Sequence, residues 1–183
     1  MIYPSKGTLL IANPFLKDPN FSRAVIFLCE HTDEGSFGFA LNKKFPKPLE
    51  QLIPDLNLND FPVYQGGPVQ KDALHFLHQY PELISGGEEV MENVFWGGNY
   101  ESLLANLKNN DISKDRIRFF IGYSGWSQGQ LDAELKEKSW LTVQATRKLI
   151  FDTRPEDVWK HSVKHLGGDY EVMVNFPIDP QLN

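Results

Sequence analysis

The sequence predicts an α+β fold: a single domain with a mixed or largely antiparallel sheet flanked by several helices. The chain has 183 residues, of which 41% are hydrophobic, and this is enough to bury the core of one domain. Apolar runs with strand character outnumber the helical segments, and they follow one another instead of alternating strictly with helices. No internal repeat and no Gly/Ser-rich linker divides the sequence, so residues 1–183 are predicted to form one domain.

The first third of the chain is predicted to contain a short strand and a hairpin. Residues 7–12 form a short apolar run, and residues 24–29 are apolar at every position, as expected for a central strand covered on both faces. The turn-forming residues 32–36 lead to a second strand at 37–41. These two strands are therefore predicted to pair as a hairpin with a loop of about five residues.

The rest of the chain is predicted to supply five strands and four helices. Apolar runs place the strands at residues 63–65, 73–77, 90–96, 116–122 and 140–145. Proline, asparagine and glycine signals bound the helices, which are predicted at residues 48–53, 100–108, 128–138 and 155–166. The adjacent glycines Gly66 and Gly67 lie in the connection between the strands at 63–65 and 73–77. They permit the close approach of another chain or of a ligand.

The charge balance and the lone cysteine restrict the partners and the compartment. Lys and Arg number 18 against 24 Asp and Glu, a formal net charge of −6, whereas proteins that neutralise nucleic-acid phosphates are usually basic. No direct nucleic-acid binding is expected. Cys29 is the only cysteine, and neither a signal peptide nor an apolar run of about 18 residues is present. A cytoplasmic location and no membrane partner are predicted.

The histidines predict no metal site. His161 and His165 have the spacing of two zinc ligands on a helix, but the helical wheel places both towards solvent. His75 and His78 are three apart in a predicted strand, so they point to opposite faces. Neither a phosphate-binding loop nor any other cofactor motif is found, and no cofactor is predicted.

The segment GYSGW at residues 122–126 is similar to the nucleophile elbow of serine hydrolases, but Trp126 stands where that elbow needs glycine. A structural interpretation explains more. Ser127 and Gln130 have the spacing of a helix capping box, and Trp126 with Leu131 that of a hydrophobic staple. Glu134 lies one turn beyond Gln130 on the same helical face, so this pair is also a candidate to line a cleft.

His31 is the strongest acid–base candidate in the sequence. It ends the apolar strand beside Glu30, next to a loop that contains Asp33 and Glu34. The simpler interpretation, a hairpin histidine bonded locally, stays open beside it. Cys29 lies within the apolar run with no positive neighbour and is predicted to be a buried hydrophobic residue.

Several collinear stretches, which together cover nearly the whole chain, resemble the YqgE/AlgH family of bacterial proteins. They are residues 7–14, 21–23, 24–31, 37–42, 65–69, 77–78, 122–126, 130–134 and 140–141. The resemblance implies coiled, bifurcated sheets flanked by helices in a small cytosolic protein. The family is commonly labelled as transcriptional regulators, which implies a regulatory role without naming a biochemical activity.

Two classes of function remain open from the sequence. The first is a non-enzymatic regulatory or binding protein with an unidentified protein or small-molecule partner. Its candidate groove would be lined by His31, Asn42, Gly66, Gly67, Trp126, Gln130 and Glu134. The second is an enzyme acting on a small molecule, with His31 or Glu134 as acid or base. His31 and Asn42 are expected about 17 Å apart along the hairpin. This spacing permits only an elongated groove and disfavours the enzyme.

Overall fold

A coiled, mixed sheet of nine strands forms the centre of the fold. The computed structural model describes residues 2–56, 58 and 60–176. The strands are β1 (Thr8–Ala12), β2 (Val25–Thr32), β3 (Gly35–Ala40), β4 (Val63–Gln65), β5 (Val69–His78), β6 (Glu88–Met91), β7 (Val94–Trp96), β8 (Ile117–Ser127) and β9 (Trp140–Gln144). Their order is β6-β7-β5-β8-β3-β2-β1-β9, with β4 also paired to β8. The β4–β8 pairing is parallel and the others are antiparallel, so the predicted α+β class is confirmed.

In the described part of the chain, four α-helices flank the sheet: α1 (Leu49–Leu52), α2 (Tyr100–Lys108), α3 (Gln130–Lys136) and α4 (Pro155–Leu166). A π-helical turn spans Lys148–Asp152, and 3₁₀ turns span Lys114–Arg116 and Gly168–Asn175. The predicted starts of α2 and α4 are confirmed, since Asn99 Oδ1 accepts the Ser102 N–H at 2.8 Å and Pro155 is the first residue of α4. Among the described residues, no helix is both long and apolar enough to cross a membrane.

Strand β2 is covered on both faces, as its continuous apolar run predicts. Val25 and Phe27 pack in a core cluster with α4, whose inward residues include Val158 and Trp159. Ile26, on the other face, packs in a second cluster that contains Ala40 of β3 and Leu131 of α3. A third cluster lies between β5, β8 and α2. Successive side chains of a strand point to opposite faces of the sheet. Since both sets are apolar in β2, helices cover the sheet on both faces.

Two predicted connections were wrong. The loop of the β2–β3 hairpin has two residues instead of about five, because Thr32 pairs with Gly35 and the strands continue beyond their apolar part. Residues 90–96 are not one strand: Met91 pairs with Val94, and the chain turns between them. Asn93 adopts a left-handed conformation there, with φ of +58°, which asparagine tolerates better than most residues.

Strand β8 connects the two halves of the sheet and explains its coiling. Its first part, to Tyr123, pairs with β5, whereas Ser124 to Ser127 pair with β3. Gly122, next to the end of the first part, has a left-handed φ of +70°. The coiling brings Phe37 of β3 and Trp96 of β7 into ring contact at 4.8 Å, although β8 and β5 lie between their strands in the sheet order. One face of the sheet is therefore concave.

Candidate functional site

A cavity of about 570 Å³ opens on this concave face. Its walls are four partly exposed aromatic rings from four different strands, namely Phe37 of β3, His75 of β5, Trp96 of β7 and Tyr123 of β8. We call this cavity the aromatic cleft. The Phe37 ring lies 6.0 Å from that of Tyr123 at 78°, and the His75 ring lies 6.0 Å from that of Tyr123 at 84°. These nearly perpendicular rings present both edges and faces to the cleft.

The cleft stays open because glycine occupies the position where a neighbouring strand would otherwise place a side chain. Glu30, Phe37 and Gly125 form one cross-strand row through β2, β3 and β8. A Cβ atom built on Gly125 would meet the Tyr123 ring at 3.1 Å and little else. A larger side chain at Gly125 would therefore extend into the cleft.

The rim of the cleft carries negative charge. The exposed side chains of Glu30 and Glu34 belong to it, and neither carboxylate has a hydrogen-bond or ion-pair partner within the described part of the chain. None of the cleft-lining residues that the structure describes is Lys or Arg. Burial lowers the pKa of His75, so its ring is neutral near pH 7 and adds no positive charge. Its Nε2 atom is buried without a partner among residues 2–56, 58 and 60–176.

His31 lies on the other face of the sheet from the cleft. The pairing of β2 with β3 shifts register between Leu28 and Glu30, so that His31 stands opposite Ser36, and Ser36 opposite Trp126. Cross-strand partners point to the same face, and Trp126 belongs to the core cluster under α3. The Nδ1 atom of His31 is hydrogen-bonded to Ser36 Oγ at 2.7 Å, so the local interpretation of this histidine fits the geometry.

Three of the sequence-derived candidates, Trp126, Gln130 and Glu134, do come together. Glu134 Oε2 accepts the indole N–H of Trp126 at 2.9 Å, and Glu134 Oε1 accepts the Gln130 amide at 2.9 Å. Trp140 donates a further indole N–H to Glu134 Oε2 at 2.7 Å. We call Trp126, Gln130, Glu134 and Trp140 the Glu134 network. It binds α3 to β8 and β9.

The predicted capping box at the start of α3 is only half formed. Gln130 Oε1 accepts the backbone N–H of Ser127 at 3.0 Å, as a capping box requires. Ser127 is not the N-cap, however; Gly129 is, with a left-handed φ of +69°, and no side chain caps the helix. The prediction of a helix from residue 128 was therefore wrong by two residues, because β8 continues to Ser127. Trp126 and Leu131 share one core cluster, but with Gly129 as the N-cap they do not occupy the two positions of a hydrophobic staple.

Asn42 holds the start of β2 in place. Its Oδ1 accepts the Val25 N–H at 2.9 Å, and its amide donates to the Arg23 carbonyl at 2.8 Å. Val25 and His31 are six residues apart in the same strand, roughly 20 Å. Asn42 and His31 therefore lie at opposite ends of β2.

Gly66 and Gly67 permit the close approach of the chain's own strand β8. A Cβ atom on Gly66 would lie 2.3 Å from the Gly122 carbonyl oxygen, and one on Gly67 would lie 2.2 Å from the Tyr123 carbonyl. Ser124 Oγ also donates to the Gly66 carbonyl at 2.9 Å. Of the two, only Gly67 lines a cavity among those described, a small one of about 130 Å³ beside Phe21 and Lys43.

The sequence reasoning missed the aromatic walls because aromatic residues in strands usually belong to the core. A signal was available: Phe37 and Tyr123 are each two residues from a glycine, Gly35 and Gly125 respectively. Residues two apart in a strand share a face. A glycine in that position leaves part of the neighbouring ring uncovered.

The fold and this site define a class of protein: an α+β chain on a coiled mixed sheet, with an aromatic cleft on the concave face. A model of the AlgH-like family DUF179 matches residues 9–171, and the chain belongs to this family. The UPF0301 protein of Chlorobium luteolum is 41% identical over 177 residues, which cover 97% of this chain and 94% of the relative. The UPF0301 protein of Chlorobaculum tepidum is 42% identical, with 97% and 95% covered.

Two solved structures share the architecture. The solution structure of the AlgH protein from Pseudomonas aeruginosa superposes with a TM-score of 0.73 at 30% identity, covering 97% of this chain and 98% of that one. A crystal structure of a protein from Corynebacterium diphtheriae gives a TM-score of 0.80 at 20% identity, covering 96% and 94%, which is a likeness of fold. The resemblance to the YqgE/AlgH family is confirmed.

Proposed function

We propose that this chain is a non-enzymatic binding protein that takes a small organic molecule in the aromatic cleft. The observation that carries the proposal is the convergence of four partly exposed aromatic rings, from four strands, on one cavity of about 570 Å³. Small-molecule sites are concave, mostly apolar and typically ~300–1,000 Å³ in volume, with a few polar groups that orient the ligand. The cleft meets each of these criteria.

The positions of the polar groups favour a binding function over a catalytic one. Acid–base catalysis requires a donor and an acceptor within hydrogen-bond reach of one substrate atom. Glu30 and Glu34 are at the exposed rim of the cleft, and within the described residues no carboxylate or other group is hydrogen-bonded to Nε2 of His75, the imidazole in its wall. His31 and Glu134 bond to protein groups on the other face of the sheet.

An enzyme is the second candidate, and one contact favours it: the hydrogen bond of 2.7 Å between Ser36 Oγ and His31 Nδ1 has the geometry of a nucleophile and its base. Against it, Ser36 is only 9% exposed, and no carboxylate within the described residues orients His31. A fluorophosphonate probe decides between the two. We expect no labelling, and labelling that Ser36→Ala abolishes would establish the enzyme.

A regulatory role would then operate through the bound ligand or through a protein partner in the cytoplasm, without direct nucleic-acid contact. The net charge of −6 supports this part of the proposal. A titration with a pool of genomic DNA fragments at physiological salt tests it. We expect no sequence-selective binding, and tight binding that weakens steeply with added salt would contradict it.

A variant that fills the aromatic cleft tests whether the cleft is the binding site. A set of phenyl- and indole-based fragments is screened by chemical-shift changes of the Trp96 and Tyr123 resonances, first with the wild-type protein and then with Gly125→Leu. We expect fragments that bind the wild type to lose binding in Gly125→Leu. Ala105→Leu, which adds the same side chain at an exposed position of α2, is the matched control and should bind as the wild type does. Equal binding by both variants would refute the cleft as the site.

A further inference from the structure

The two ends of the aromatic cleft differ in electrostatic character. The inner end consists of ring walls, and the rim carries Glu30 and Glu34. Glu30 is the direct cross-strand partner of Phe37, so its carboxylate stands next to one of the rings. A ligand seated among the rings would therefore reach a carboxylate without leaving the cleft.

Nothing described at the cleft neutralises these carboxylates. Arg and Lys are absent from the described lining, and neither carboxylate has an ion-pair partner in the parts of the chain that are described. The two ion pairs of Arg154 and that of Arg147 lie near α4, and Lys6 pairs with Glu88 on β6. The rim therefore offers two uncompensated negative charges to a ligand.

Like the carboxylates of the rim, the aromatic rings favour a positively charged ligand. The faces of Trp, Tyr and Phe carry partial negative charge and attract cations, with Trp the strongest of the three. Trp96, Tyr123 and Phe37 line the cleft together, and their rings meet at steep angles of 60° and 78°. Rings at such angles offer ring faces to a cationic group from more than one direction, whereas the rim would repel a carboxylate.

We propose that the ligand of the aromatic cleft is a small organic cation: an ammonium or guanidinium group carried on an apolar body. This inference rests on the proposed function and names the class of its ligand. The apolar body packs against the ring walls, and the cationic group lies between the ring faces and the carboxylates of Glu30 and Glu34. The cleft volume of about 570 Å³ suits a free small molecule bound by a single chain.

Three probes that differ only in charge test the proposal: phenethylamine (a cation), 2-phenylethanol (neutral) and 3-phenylpropionate (an anion). Each is titrated into the wild-type protein by following tryptophan fluorescence and the Trp96 resonance. We expect the amine to bind about tenfold more tightly than the alcohol, which is the combined scale of a cation–π contact at a partly exposed site and of attraction to two exposed carboxylates. The anion should bind most weakly. Added salt should weaken binding of the amine and leave that of the alcohol nearly unchanged.

Charge variants locate the effect at the rim. The double variant Glu30→Gln with Glu34→Gln should reduce the preference for the amine over the alcohol to about twofold, because only the ring faces then discriminate. Asp33→Asn removes one negative charge from the turn that contains Glu34, at an exposed residue that does not line the cleft, and it is the control. Asp33→Asn should keep nearly the full preference for the amine over the alcohol, because salt screens most of the effect of a charge outside the cleft.

The outcomes separate this inference from the proposed function. If the amine and the alcohol bind equally, and Gly125→Leu abolishes both, the cation proposal is wrong and the binding function stands. If none of the three probes binds at roughly 10 mM, the cation proposal is also wrong. The binding function falls only if the wider fragment screen fails too. A preference for the amine that persists unchanged in the double glutamine variant would refute the assigned role of Glu30 and Glu34.

Discussion

The indole rings of Trp126 and Trp140 are joined through a single oxygen atom. Each ring donates its N–H to Oε2 of Glu134, at 2.9 and 2.7 Å, and the ring centroids are 5.8 Å apart at 82°. Trp126 belongs to β8, Trp140 opens β9, and Glu134 comes from α3, which lies between these strands in sequence. One carboxylate therefore satisfies two buried donors and fixes the helix to both strands.

Glu134→Ala should lower the free energy of unfolding by about 3 kcal/mol, because it leaves two buried indole N–H groups without an acceptor. Glu134→Gln should cost about 1 kcal/mol, since an amide oxygen can still accept both bonds but carries no charge. Urea denaturation measures both. Glu137→Ala, at the exposed end of α3, is the control and should change stability by less than about 0.5 kcal/mol. Equal losses for Glu134→Ala and Glu137→Ala would contradict the role of the network.

Trp126→Ala should lower the free energy of unfolding by about 3–5 kcal/mol and leave ligand affinity in the cleft within a few fold. Trp126 borders the cleft, but its side chain is only 6% exposed and stacks on Phe21 with ring centroids 6.3 Å apart, so most of the ring is buried in the core. Trp126→Phe should lose less, since it keeps the ring. Thermal melting checks the first part, and an unchanged midpoint for Trp126→Ala would refute the structural role assigned to this residue.

Local signals predicted those parts of the fold that depend on local chemistry. The apolar run before His31 predicted a strand covered on both faces, since both sets of alternating side chains are apolar. Asn99 predicted the start of α2 because its side chain accepts a backbone N–H within the same turn. Helical spacing pairs Gln130 with Glu134, and the two are hydrogen-bonded in the structure, where Trp126 also bonds to Glu134.

The aromatic cleft could not be predicted this way because it depends on contacts between distant strands. Phe37 and Trp96 are 59 positions apart in the sequence and meet only because the sheet coils at β8. The side of the sheet on which His31 lies also depends on a register shift between Leu28 and Glu30, which no alternation pattern encodes. A shift of one residue moves every later side chain of the strand to the other face.

Gly67→Ala should destabilise the protein by about 3 kcal/mol or more, because the new Cβ would lie 2.2–2.3 Å from three backbone atoms of Tyr123 and Ser124. Backbone atoms of a paired strand cannot rotate away as a side chain can. Gly86→Ala is the control: no atom lies within 4 Å of its Cβ, and only the left-handed φ of +77° opposes it, at about 1–2 kcal/mol. Thermal melting ranks the two. A smaller loss for Gly67→Ala than for Gly86→Ala would show that β4 and β8 can separate without cost.

The partly buried His75 and the buried His78 should make the protein less stable as the pH falls through the mildly acidic range. Burial lowers the pKa of His75, and burial lowers the pKa of His78 against the opposing effects of its hydrogen bond to the Gly97 carbonyl and of Glu82. In the unfolded chain both imidazoles titrate near their ordinary value of about 6.5. Between that value and the lower pKa of the folded state, the unfolded chain binds more protons, so the free energy of unfolding decreases as the pH falls.

His75→Phe isolates this effect because it keeps an aromatic ring in the cleft wall and removes both the titratable group and its unpartnered Nε2. Urea denaturation of the wild type and the variant at about pH 7.5 and about pH 5.5 gives the comparison. Carboxylates contribute equally to both proteins, so the difference in slope belongs to His75. We expect the variant to lose less stability between the two pH values. Identical slopes would show that His75 is protonated as readily in the folded protein as in the unfolded chain, and its ring could not then be a neutral wall of the cleft.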